Sequence, residues 1–64
     1  MVKINGEFFD VDGKSVSEYL KSAGYDMKRI VVERNGDIVP KLQYEETMLT
    51  DGDSVEIVSF VGGG

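Results

Sequence analysis

A chain of 64 residues with twelve acidic and seven basic side chains, a net charge of −5, and neither cysteine nor histidine is one domain with a small core, because folding at this size buries only about 60% of the unfolded surface. Those absences exclude a disulfide framework, a thiolate metal site and the usual general base near neutral pH, so no catalytic or metal-ligating set is expected. Acidic charge spread along the whole length disfavours nucleic-acid partners, and a longest apolar run of Ile30-Val31-Val32 offers no membrane span, so the chain is expected to be soluble and cytoplasmic.

Val2 and Ile4 alternate with Lys3, and a second alternation carrying Glu7, Phe9 and Val11 on one parity follows Asn5-Gly6. Asn-Gly between two alternating runs predicts a hairpin, because a type I′ turn requires positive φ at both central residues. Asp12-Gly13-Lys14 predicts a turn. Ser15-Val16-Ser17-Glu18 then has the form of a capping box, in which hydroxyl and carboxylate each take an orphan backbone N–H. Val16, Tyr19, Leu20 and Ala23 recur at helical spacing before Gly24, which predicts one short amphipathic helix over 15–23 with a left-handed glycine cap.

Ile30 to Arg34, Asn35-Gly36 and Asp37-Ile38-Val39 predict a second hairpin, stopped by Pro40, which has no N–H to give a central ladder. From Lys41 to Leu49 there is no clean period; this stretch is expected to wrap the sheet edge and pin Leu42, Tyr44 and Leu49. Asp51-Gly52-Asp53 predicts a turn, and Val55, Ile57 and Ser59 alternate with Glu56, Val58 and Phe60 in a last strand. Calcium ligation by Asp51 and Asp53 and a catalytic pairing of Glu45 with Glu46 lack the spacing or the cleft those chemistries need.

Hairpin, helix, hairpin and last strand make an α+β domain in which one helix buries its apolar stripe on one face of a mixed sheet. This is the element order of the ubiquitin-like β-grasp. Residues 1–61 are expected to form that domain and 62–64 a flexible tail, since Gly62, Gly63 and Gly64 have no side chains to pack. Fully extended, three residues reach roughly 10 Å, and without Cβ atoms they pass a narrow channel. The Gly64 carboxylate is therefore the candidate reactive group, to be activated by a partner as an acyl phosphate or acyl adenylate; by composition alone a merely floppy end is the more common meaning of such a tail. If Val55 and Ile57 face the helix, Val58 and Phe60 emerge on the opposite face beside the tail, a candidate docking surface.

The segments Ile30-Val31-Val32-Glu33-Arg34-Asn35-Gly36-Asp37-Ile38-Val39-Pro40, Leu49-Thr50-Asp51-Gly52-Asp53-Ser54-Val55-Glu56-Ile57-Val58 and Phe60-Val61-Gly62-Gly63-Gly64, with the opening Val2 to Glu7, resemble the ThiS family of ubiquitin-like sulfur carriers over essentially the full chain. Tyr44 and Ser59 depart from the Trp and His frequent in that family. The resemblance implies a carrier acting as co-substrate and not as an enzyme. An adenylyltransferase of the ThiF type would spend ATP with magnesium to adenylate Gly64, with no cofactor bound by the carrier itself. Sulfur from a cysteine desulfurase persulfide would then make a thiocarboxylate, and thiazole synthase, ThiG, would accept the sulfur in thiamin biosynthesis. Gly63 and Gly64 match the family's end directly, Gly62 matches the members with three glycines, and Val58 and Phe60 carry over as the docking face. Two alternatives stay open at this level: a carrier for molybdopterin or another sulfur pathway, and a ubiquitin-like modifier or interaction module.

Overall fold

Both Asn-Gly pairs turn hairpins, and the backbone shows why those residues are there. Asn5 and Gly6 have φ of 50° and 86°, Asn35 and Gly36 have 53° and 89°, the left-handed pairs that a type I′ turn demands. In the computed structural model, which describes residues 1–60, the first turn joins β1 (Val2–Ile4) to β2 (Glu7–Phe9) and the second joins β3 (Ile30–Arg34) to β4 (Asp37–Val39). A single α-helix, α1 (Val16–Ala23), lies between the hairpins, and β5 (Ser54–Ser59) closes the fold. The expected domain end at Val61 and the glycines beyond it fall outside the described residues.

The sheet order is β2-β1-β5-β3-β4. The last strand enters between the two hairpins, parallel to β1 (Lys3 opposite Ser54, Ile4 opposite Val55) and antiparallel to β3 (Ile30 opposite Ser59 through Arg34 opposite Val55). This is the mixed sheet with one helix of a β-grasp. Val2 and Ile4, Ile30 and Val32, and Val55 and Ile57 all point to the helix and are buried with Val16, Tyr19 and Leu20. Each such aliphatic side chain contributes about 1.5–3 kcal/mol by leaving water. Phe9 closes one flank against the Tyr19 ring, centroids 6.0 Å apart.

The helix start is fully accounted for. Glu18 N–H donates to Ser15 Oγ and Ser15 N–H to Glu18 Oε1, both at 3.0 Å, which completes the capping box. The two preceding amides of the first turn are taken by the irregular segment: Val16 N–H donates to the Thr47 carbonyl and Ser17 N–H to the Tyr44 carbonyl, each at 2.9 Å. At the other end Gly24 adopts φ 82°, and its N–H returns to carbonyls of the last turn, as a left-handed cap does.

Two expectations change, and one segment gains a role. The segment from Lys41 to Leu49 also caps the helix with its carbonyls, a use of the backbone that leaves no side-chain period to detect. Within it Tyr44 and Leu49 are buried as expected, but Leu42 is 94% exposed, because the 3₁₀ turn over Lys41–Gln43 that follows Pro40 carries it outward while bringing Tyr44 in. Ala23 is exposed at the helix end, where a single methyl has little to bury. Among the described residues no helix is long and apolar enough to cross a membrane.

Candidate functional site

The strand that leads to the glycines is held at its start by Asn35 and in its middle by Asn5. Asn5 stops the backbone ladder of β1, but its side-chain amide continues it by one rung: Oδ1 accepts from Ile57 N–H at 2.8 Å and Nδ2 donates to the Ile57 carbonyl at 3.2 Å. At the start of β5 the Asn35 amide accepts from Ser54 N–H at 2.9 Å and donates to Asp53 Oδ1 at 3.0 Å. A residue chosen for positive φ thus also supplies an amide that copies a backbone edge.

Asp53 is the buried charge that fixes where β5 begins. Its Oδ2 accepts from Arg34 Nε at 2.9 Å, Thr50 N–H at 2.9 Å and Thr50 Oγ1 at 3.2 Å. Burial pushes its carboxyl up, but the Arg34 guanidinium, the Thr50 amide and the Asn35 amide more than offset this and bring it down to about 2. The carboxylate is fully occupied by the scaffold and plays no part in reactive chemistry.

Strand parity places Val58 and Phe60 as expected: they are 54% and 48% exposed, while Val55 and Ile57 on the other parity are buried. The last described hydrogen bond of the sheet runs from Phe60 N–H to the Arg29 carbonyl at 2.9 Å. Up to Phe60, therefore, the chain is part of a rigid sheet. Gly62, Gly63 and Gly64 follow outside the described residues. Antiparallel register brings Val31 opposite Val58 and Glu33 opposite Glu56 on this uncovered face. The sequence analysis places Asn5, Asn35 and Asp53 in turns and Val31 in a hairpin strand, without their roles in holding β5 or lining its uncovered face. The alternation Ile30/Val32 against Val31/Glu33 was a signal for Val31; nothing local marks the roles of the other three.

A depression of about 190 Å³ is lined by Arg34, Asp37, Ile38, Val39, Pro40, Gln43 and Thr47, below the ~300 Å³ at which ligand pockets begin. It lies at the Arg34 end of β3, whereas β5 leaves the sheet at the Ile30 end. Among the described residues no group of three acidic, His or Cys side chains is placed to hold a metal ion. What this architecture presents is an exposed apolar rung at the root of a glycine segment.

Comparison with known proteins agrees with that emphasis. The model of the ThiS family matches residues 2–64, so the three glycines lie within the matched segment. The sulfur carrier protein ThiS of Bacillus subtilis is 41% identical with the whole of both chains covered, and that of Thermus thermophilus is 36% identical, again covering both in full. A thiazole synthase of Paramagnetospirillum magneticum is 44% identical over 95% of this chain, which spans only 19% of that longer protein. Among solved structures, the crystal structure of the thiamine biosynthesis protein ThiS from Geobacter metallireducens superposes with a TM-score of 0.79 at 30% identity, covering 98% of this chain and 97% of that one. With a single helix on a five-stranded mixed sheet and a matched segment that reaches Gly64, this chain belongs to the ThiS family.

Proposed function

We propose that this chain is a sulfur carrier of thiamin biosynthesis, working through the carboxylate of Gly64. The observation that carries the reading is the family match running through residue 64, together with full-length similarity to proteins that are themselves sulfur carriers. The chain has no cysteine, hence no side-chain thiol on which transferable sulfur could ride.

A carboxylate is inert to nucleophiles until one oxygen becomes a leaving group. In the proposed cycle a Gly64 oxygen attacks the α-phosphorus of ATP on an adenylyltransferase of the ThiF type, with magnesium held by that enzyme, and pyrophosphate leaves. The terminal sulfur of a persulfide, charged by a cysteine desulfurase, attacks the acyl carbon and AMP departs. A thiol then cleaves the resulting acyl disulfide, is itself oxidised to a disulfide, and leaves the thiocarboxylate. Thiazole synthase, ThiG, takes the sulfur, and the occurrence of a similar domain inside a thiazole synthase polypeptide supports that acceptor.

The domain's own part is to present the end. Central placement of β5 holds its first part from both sides, by β1 and Asn5 on one and β3 on the other, and β3 with the Arg29 carbonyl holds it on to Phe60; Val58 and Phe60 supply an apolar contact for the partner beside it. The test is ATP–pyrophosphate exchange by the purified adenylyltransferase. The carrier reading expects exchange that depends on adding this chain. Exchange indifferent to its presence would contradict it.

A further inference from the structure

β5 loses its two neighbours at different points. On the β3 side the pairing runs from Val55 opposite Arg34 to Ser59 opposite Ile30, and the Phe60 N–H then donates to the Arg29 carbonyl at 2.9 Å. On the β1 side it stops at Ile4 opposite Val55, and the last backbone bond is from Asn5 N–H to the Val55 carbonyl at 2.9 Å. There the left-handed Asn5-Gly6 turn carries the backbone away. Alternate residues of a strand offer N–H and C=O to the same neighbour, so the next position on that side is Ile57, and the Asn5 amide fills it with both its ends, at 2.8 and 3.2 Å. The turn does not explain that amide: glycine takes positive φ freely and serves at the first central position of a type I′ turn. Nor does Asn35 duplicate it, since that amide binds Ser54 N–H and Asp53, where β5 begins. Of the two turn asparagines, Asn5 alone restrains the part of β5 that runs on to the glycines.

We infer that Asn5 is a positioning residue for the reaction at Gly64: its amide keeps β5 held from both sides as far as Ile57 and so fixes the direction in which the chain leaves the sheet. Its role presupposes the reading of the Gly64 carboxylate as the reactive group. Without the amide the β1-side restraint recedes from Ile57 to Val55, and Glu56 through Phe60 hang on β3 and the Arg29 carbonyl alone. A strand bonded on one edge twists and frays more easily than one bonded on both. Rates fall steeply when a reacting atom is displaced, by about a hundredfold for about 1 Å in sensitive cases. Val58 and Phe60 project from the uncovered face whichever residue occupies position 5, so the docking contact itself is left in place.

The experiment is ATP–pyrophosphate exchange by the purified adenylyltransferase, with the rate measured against the concentration of the wild-type chain, Asn5→Gly, Asn5→Asp and Val16→Ala. Asn5→Gly keeps the turn and deletes both bonds. Asn5→Asp keeps the size of the side chain but has no N–H for the Ile57 carbonyl. Val16→Ala opens a cavity in the core beneath the helix and serves as a variant weakened in stability alone. Both Asn5 variants are expected to lower kcat about three- to tenfold, with KM for the chain within about twofold of the wild type, while Val16→Ala keeps both. A KM that rises with kcat unchanged makes Asn5 a contact of the partner and overturns the inference. So does an equal loss of kcat in Val16→Ala, and so do wild-type kinetics in both Asn5 variants. Each of these three outcomes leaves Gly64 standing as the reactive end. Exchange that the wild-type chain itself fails to stimulate overturns the carrier reading, and the role of Asn5 with it.

Discussion

The side-chain amide of Asn5 exchanges two hydrogen bonds with the backbone of Ile57, accepting at 2.8 Å and donating at 3.2 Å. A turn residue of the first hairpin thereby completes the central strand, fifty-two positions further along the chain. Asn5→Gly keeps the left-handed backbone and deletes only the amide. It is expected to cost about 1–2 kcal/mol and to speed hydrogen exchange at the Ile57 amide more than at Val32, which pairs with Val39 in the unaltered β3–β4 ladder. Equal acceleration at both sites would mean that the bond pair has no local role.

Asp53 gives the fold an acid limit. Its carboxyl lies at about 2 against an ordinary 3.8, so its contribution is complete above the ordinary value and is lost as pH falls through about 2. A depression of this size corresponds to about 2 kcal/mol. Asp53→Asn should lower stability at neutral pH by about 2–3 kcal/mol, because Arg34 is left without its carboxylate. It should also flatten the stability curve between pH 4 and pH 2, read by denaturant titration at a series of pH values.

Phe60 and Leu49 separate docking from folding. Phe60 is 48% exposed and Leu49 only 1%. Phe60→Ala is expected to change stability by less than about 1 kcal/mol while weakening partner binding, whereas Leu49→Ala should cost about 2–5 kcal/mol through its cavity. Thermal melts of the two variants check this ordering.

These contrasts show what could be read from sequence and what could not. Asn5-Gly6 and Asn35-Gly36 announce hairpins because positive φ is a local demand, and Ser15 to Glu18 announces a helix start because both caps lie within four residues. Parity alone was enough to expose Val58 and Phe60. Leu42 and Ala23 were misplaced because an apolar type at a plausible position says nothing about a 3₁₀ turn or a helix end that turns it outward. Asn5, Asn35 and Asp53 were read as turn formers; their second role depends on β5 arriving between the hairpins, a pairing of distant segments that no local pattern encodes. The proposed reactive residue, Gly64, is carried by the family resemblance and by the absence of a rival thiol.

Extending the chain by one residue after Gly64 should abolish sulfur transfer and leave the Tm unchanged, since the buried core that carries stability is built from Val2 to Ile57. Transfer by the extended chain, shown by mass to be untrimmed, would remove the carboxylate from the mechanism.

Intact-mass spectrometry after incubation with ATP, magnesium, the adenylyltransferase, a cysteine desulfurase with cysteine, and a thiol tests the central claim most directly. The carrier account predicts replacement of one oxygen by one sulfur, localised to Gly64 by fragmentation and absent when ATP is omitted. An unchanged mass with an adenylyltransferase shown to be active, or sulfur fixed anywhere but the terminal carboxyl, would contradict it.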